Sequence, residues 1–193
     1  TLGRGGVYKP LSYVLEIKNS SGETLKSWRD SPKQVLDPQA AYMVTDILKD
    51  ANARSITFGG QAYSYGFVVP GVTTATKTGT TENGNGQAKD SWMMSYSPAV
   101  SVGVWSGNHD GSPMASDNNN VVRRVVNDYM ERVHKEVYAS SGQWKSGDDF
   151  KTPEGIKKIA KNYMKPDYKH IQVKQKTVTA NTVKQYYFEV KQK

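Results

Sequence analysis

The sequence predicts an α+β domain in which an antiparallel sheet is covered by helices. Three features predict it: three strand-like runs with hairpin-length links between Val72 and Gly107, a long amphipathic helical pattern directly behind them, and a shorter helical pattern earlier in the chain. At 193 residues the chain can bury a core as one domain with a short appendage.

Along the chain, a glycine-rich entry at Gly3, Gly5 and Gly6 leads into Tyr13 to Lys18, which mixes β-branched and aromatic residues. Asn19-Ser20-Ser21-Gly22 supplies turn chemistry, so a hairpin returning from Glu23 to Trp28 is expected. Asp37-Pro38 puts an N-cap before a proline at the first helical position, and Ala40, Ala41, Val44, Ile47 and Leu48 recur at helical spacing. A helix of roughly 12 residues follows from Pro38. Ser55 to Gly71 has no clear period and reads as a loop suited to the rim of a cleft. Val72 to Thr81 reads as a strand that dissolves into Glu82-Asn83-Gly84-Asn85-Gly86, and Lys89 to Ser97 and Val100 to Gly107 complete a meander.

From a cap at Ser116 or Asp117, residues Val121, Val122, Val125, Val126, Tyr129, Met130, Val133 and Val137 hold the 3.6-residue period. They predict a helix from about Asn118 to Tyr138 that covers one sheet face. Ser140 to Asp149 reads as a linker. Thr152-Pro153-Glu154 caps an expected short helix with Ile156, Ile159, Ala160 and Tyr163 on one face, and two short strands are expected beyond Pro166.

The net charge of +8 is unevenly placed. Residues 1–150 hold 15 basic and 15 acidic side chains, whereas residues 151–193 hold 11 lysines against Glu154, Asp167 and Glu189. A basic tail on a neutral body reads as a solvated surface or a contact with an anionic surface, not as a module that reads nucleic acid. No window is apolar enough for a membrane span, and TLGRGGVYKP lacks signal-peptide regions. Without cysteine there is no disulfide, thiolate metal site or cysteine nucleophile, and His109, His134 and His170 are too scattered for a metal centre. No cofactor is expected.

The chemistry concentrates at Lys77-Thr78-Gly79-Thr80, late in a β-branched strand and followed by a polar turn, two antiparallel strands and a long helix. K-T-G stands beside S-x-x-K and S-x-N in the signature of penicillin-binding proteins and serine β-lactamases. The likeness continues through Asp90, Trp92, Tyr96, Pro98, Val102 to Trp105 and Gly107. It also takes in Gly6 to Pro10, the Asp37-Pro38 helix and Phe150 to Ile156. Over residues 1–156 the sequence resembles the C-terminal part of the transpeptidase domain of high-molecular-mass class A penicillin-binding proteins.

That resemblance implies part of a β-lactamase/transpeptidase-like fold and a serine-type D-Ala-D-Ala transpeptidase that cross-links peptidoglycan stem peptides in cell-wall synthesis. It also implies β-lactam binding, and a place on the outer face of the cytoplasmic membrane, anchored by an N-terminal region outside these residues. A peptide ending in D-Ala-D-Ala, or a β-lactam imitating it, would lie antiparallel along the motif strand. Gly79 would admit its acyl group, and the N–H of Thr80 would face the oxyanion. Thr78 and Thr80 would bind the terminal carboxylate, and Lys77 would supply charge to it and to the proton network. Lys77 and Thr80 are thus the expected catalytic residues and Lys77, Thr78, Gly79 and Thr80 the substrate-binding ones.

No serine has lysine three residues later, so the acylated nucleophile is absent. Ser106-Gly107-Asn108 and Ser116-Asp117-Asn118 match S-x-N but follow the KTG motif, against the family order, and read as a strand end and a helix cap. The expectation is a C-terminal portion of a transpeptidase domain at 1–141, a linker at 142–156, and a basic tail or the start of a small appended module at 157–193. The rest of the parent polypeptide would be its partner, and this chain alone would be inactive. The alternatives are a β-lactamase or β-lactam sensor of the same superfamily, or a non-enzymatic basic surface-binding module. Trp92 and Trp105 read as core and cleft wall; Tyr63, Tyr65 and Phe67 could line the groove or pack beneath the loop.

Overall fold

The computed structural model describes residues 1–63, 67–115, 119–160 and 186–190. Its centre is a three-stranded antiparallel sheet of Ala75–Glu82, Ala88–Tyr96 and Ser101–Gly107, with the second of these in the middle. In chain order these are β5, β6 and β7. They follow the short strands β1 (Val7–Tyr8), β2 (Glu16–Lys18), β3 (Thr24–Ser27) and β4 (Lys33–Gln34). The expected meander is therefore present, each strand ending within about three residues of its expected bounds.

β1 pairs with β4, and the approach is so close that Gly6 is obligatory. Its φ is +90°, and a Cβ there would lie 2.5 Å from the Leu36 carbonyl oxygen. Gly6→Ala is expected to cost about 1–3 kcal/mol of stability, read as a lower urea midpoint. An unchanged midpoint would mean that the segment is not held in this way. β2 and β3 form the expected hairpin through Asn19 to Gly22. The hairpin stands off the body with every strand residue exposed, including Ile17 and Leu25.

Helix α1 spans Pro38–Lys49, and the Asp37 carboxylate accepts from the N–H groups of Gln39 and Ala40, as the cap and proline dictate. The loop expected at Ser55 to Gly71 is helical in its first part, as far as Tyr63, and irregular from Phe67. Asp50 caps a second helix, α2 (Ala51–Phe58), by accepting from Asn52 and Ala53, and one 3₁₀ segment continues to Tyr63. A fresh cap after one non-helical residue restarts the ladder even though α2 buries no side chain that would give it a visible period.

Helix α3 (Asn119–Arg132) lies against β6 and β7, and its expected cap at Ser116 or Asp117 falls outside the described residues. Val122, Val126 and Met130 are sealed against Met93, Phe67, Val69, Val72 and Trp144. The buried stripe is narrower than expected: Val121, Val125, Tyr129 and Val137 are exposed, while Asn127 and His134 are buried in their place. Each sealed side chain contributes about 1.5–3 kcal/mol, against about 0.3–0.5 kcal/mol for a surface pair such as Lys135–Glu131. The stripe, not the ion pairs, holds the helix. Its last stretch, Val133–Tyr138, is a π-helix instead of the α-helix that the period suggests.

The stretch read as a linker packs on the body. Trp144 enters the core, Lys49 Nζ reaches Asp149 at 2.6 Å, and Thr152 donates to the Tyr42 hydroxyl at 2.9 Å. The short helix expected at 152–163 is a strand: Ile156–Ala160 (β8) pairs antiparallel with Tyr186–Val190 (β9). Gly155 at φ +82° breaks any helix started by the Thr152-Pro153 cap, and β-branched Ile156 and Ile159 suit the ladder. Only β9 of the two strands expected beyond Pro166 is described, and Tyr163 falls outside the described residues.

Candidate active site

Lys77-Thr78-Gly79-Thr80 occupies the middle of β5, which pairs with β6 along one side only among the described residues. Its register places Lys77 opposite Met94, Thr78 opposite Met93, Gly79 opposite Trp92 and Thr80 opposite Ser91. Alternation therefore sets Lys77 and Gly79 on the sheet face that carries Trp92 and Met94, and Thr78 and Thr80 on the face that α3 covers farther along the sheet. All four expected site residues lie on one accessible edge. The Lys77 ammonium is exposed and donates to the Thr78 carbonyl oxygen at 2.5 Å.

Gly79 matters for a reason beyond access. A Cβ at this position would lie 3.3 Å from the Trp92 Cβ, so the missing side chain is what lets the neighbouring strand close up. Trp92 and Trp105, expected as core and cleft wall, are not core: they stand on the open face at 43% and 48% exposure, their rings 6.4 Å apart. Helix α1 and Phe150 pack on this face only at its far end, where Thr45 bonds the Tyr96 hydroxyl at 3.0 Å, and α3 lies on the other face, so no described element covers the two indoles as a core would. Of the loop aromatics, Tyr63 is exposed and bonded to Asn52, Phe67 is in the core, and Tyr65 is outside the described residues.

Asp90, singled out in the sequence only as a family match, has a definable job. Its carboxylate accepts from the Thr81 N–H at 3.0 Å and from the Trp105 indole at 3.4 Å, pinning the strand just beyond the motif where the register shifts. Partial desolvation pushes its pKa up, but the bonds from Thr81, Trp105 and Trp92 outweigh that and hold it below the ordinary carboxylate value.

Beside the first half of the motif lies a cavity of about 340 Å³ whose lining includes Asp50, Arg54, Phe67, Thr76, Lys77 and Thr78. Asp50 spends one oxygen on the α2 cap, while its Oδ2 is buried without a partner among the described residues. Arg54 donates to the carbonyls of Leu48 and Phe67; burial lowers its pKa and the Asp50 charge acts against that. No cluster of acidic or imidazole ligands able to hold a metal occurs among the described residues. Ser106 closes β7, and Ser116 to Asn118 fall outside the description.

The family model for the penicillin-binding protein transpeptidase domain matches residues 1–131. The chain belongs to the penicillin-binding protein transpeptidase family. Penicillin-binding protein 1F of Bacillus subtilis is 25% identical to it over 165 residues, which span 82% of this chain and 20% of that protein. Penicillin-binding protein 1A/1B of the same organism is 35% identical over 115 residues, 54% of this chain and 12% of its own length. The chain thus spans about a fifth or less of these relatives. Among solved structures, the penicillin-binding protein PonA1 from Mycobacterium tuberculosis matches with TM-score 0.60 at 23% identity, over 79% of this chain and 38% of that one. The same protein in complex with penicillin V matches at 0.61 and 22%. These likenesses establish the penicillin-binding transpeptidase fold, an α+β arrangement. Within the described residues no helix is long and apolar enough to cross a membrane.

Proposed function

We propose that this chain carries the substrate-binding strand of a serine-type peptidoglycan D,D-transpeptidase. The observation that carries the proposal is the placement of KTGT along a strand edge that nothing described occupies. A stem peptide ending in D-Ala-D-Ala, or a β-lactam, adds to that edge as an extra antiparallel strand. Lys77 and Thr78 meet its terminal carboxylate with a charge-assisted contact, and Thr80 adds its hydroxyl to the carboxylate and its N–H to the oxyanion. The acylated serine and its lysine come from the rest of the parent polypeptide, which also covers the open face that carries Trp92 and Trp105. That parent works at the outer face of the cytoplasmic membrane, a reading supported by its likeness to penicillin-binding proteins 1F and 1A/1B.

Fluorescent penicillin tests the reading directly. The parent that contains an S-x-x-K serine is expected to label, and these 193 residues alone are expected not to, because they lack the nucleophile. A covalent adduct on Ser106 or Ser116 of this chain, found by mass spectrometry, would overturn that division of labour.

A boundary between the body, which includes the packed 142–156 stretch, and residues 157–193 belongs to the same proposal. β8 and β9 pair with each other and stand apart from the central sheet. A parent ending at Ile156 is expected to keep its thermal midpoint and its acylation. Loss of either would assign the tail to the catalytic domain.

A further inference from the structure

At the far end of the sheet from the motif, the described residues hold one imidazole sealed in the core. His134 is 0% exposed and sits at the start of the π-helical stretch. Its Nδ1 lies 2.6 Å from the Met130 carbonyl oxygen and its Nε2 lies 2.8 Å from Ser97 Oγ. A carbonyl can only accept, so Nδ1 carries the proton, and Nε2 of the neutral ring accepts from the serine hydroxyl. Met130 is the acceptor that an α-helix reserves for the backbone N–H of residue 134. The ring N–H shares that carbonyl at the start of the π-helical stretch, within which the Ala139 N–H bonds the His134 carbonyl at 2.8 Å.

The serine has no acceptor capacity left. Ser97 Oγ already accepts from the N–H groups of Ala99 and Val100, at 3.0 and 3.2 Å, in the turn between β6 and β7. Two lone pairs face two amides and the hydroxyl proton faces the ring, so a protonated Nε2 would meet a saturated oxygen. Although a serine bonded to an imidazole looks like a nucleophile and its base, Ser97 is 2% exposed and unreachable by a substrate.

No carboxylate is hydrogen-bonded to the ring to offset a charge on it. On its own helix, Glu131 pairs with Lys135 and Glu136 with Arg132 at the surface. The edges of Tyr138 and Trp144 close the site at 5.7 and 5.2 Å. The turn 97–100 has no ionisable residue, and Tyr96 beside it bonds to Thr45. In the segment behind Trp144, Asp148 accepts from the Lys145 N–H and Asp149 from the Lys49 ammonium.

We propose that the Ser97–His134 contact is an acid-labile clasp: the neutral imidazole fastens the end of the long helix to the turn of the motif-bearing sheet, and protonation releases it. Burial, the larger influence, lowers the His134 pKa, while the Met130 carbonyl acts in the opposite direction. The folded value is thus below the unfolded value of about 6.5. The clasp is intact above that pH, and its stabilisation is lost as pH falls from about 6.5 toward the folded value.

The test is urea unfolding of the full 193-residue chain between pH 7.5 and 5. Carboxylates that titrate below about 4.5 stay charged across this window. The unfolding constant is expected to rise by up to about tenfold per pH unit below about 6.5. His134→Gln, which keeps an acceptor for Ser97 without a titrating group, should show no such slope. Equal slopes in both proteins would overturn the proposal. Should the variant fail to fold, the imidazole Cε1–H resonances of the wild type decide it: His134 must titrate below the ordinary imidazole value of about 6.5, and an ordinary titration would overturn the clasp.

Discussion

Replacing Lys77 by alanine in the intact transpeptidase is expected to cut the rate of penicillin acylation by about 10²–10³-fold, the usual loss when one preorganised group facing transition-state charge is removed. The fold should survive the change. Lys77 is exposed, and its ammonium donates to the Thr78 carbonyl next to it, so circular dichroism and the thermal midpoint should stay close to wild type. Gly79→Val should abolish acylation by a different route. Its Cβ alone would sit 3.3 Å from the Trp92 Cβ, and the two further methyl groups force the motif strand away from its neighbour. Stopped-flow labelling with a fluorescent penicillin measures both. Wild-type rates in either variant would remove the motif from the site.

The second large effect lies far from the chemistry. Trp144→Ala is expected to destabilise the fold by about 3–5 kcal/mol, because this indole sits in the core beside Met130 and against the edge of His134. Trp144→Phe should cost much less, since it keeps an aromatic ring and removes a buried indole N–H that has no partner among the described residues. Denaturant titration of the two variants checks the order. Equal and small losses would mean that the 142–156 stretch is a true linker whose tryptophan does not anchor the body.

What could be read from the sequence was whatever depends on local chemistry. The cap and proline at Asp37-Pro38 set α1, and short polar links set the β5–β7 meander. KTGT was legible as a site because four adjacent residues on one strand need no long-range contact to come together. Long-range packing was not legible. α2 has no buried stripe to announce it, and the strand at Ile156–Ala160 depends on a partner some 26 residues away. Trp92 and Trp105 read as core and cleft wall, and the core half of that reading fails because α3 covers only the opposite face. The contact of the His134 ring with the Met130 carbonyl, at the start of the π-helical stretch, is likewise nothing that a periodicity encodes.

The open face that bears Trp92 and Trp105 also provides an optical gauge. Indole emission shifts to the blue when water leaves the ring, and Trp92, directly across from Gly79, and Trp105, across from Trp92, are half exposed while Trp144 is already dry. In the isolated chain the emission should be red-weighted. Joining it to the remainder of its parent, or laying a peptide along β5, should move the spectrum without any label. With Trp92 and Trp105 changed to phenylalanine one at a time, the same lamp that excites the protein would report which part of the motif face has been covered, and in what order.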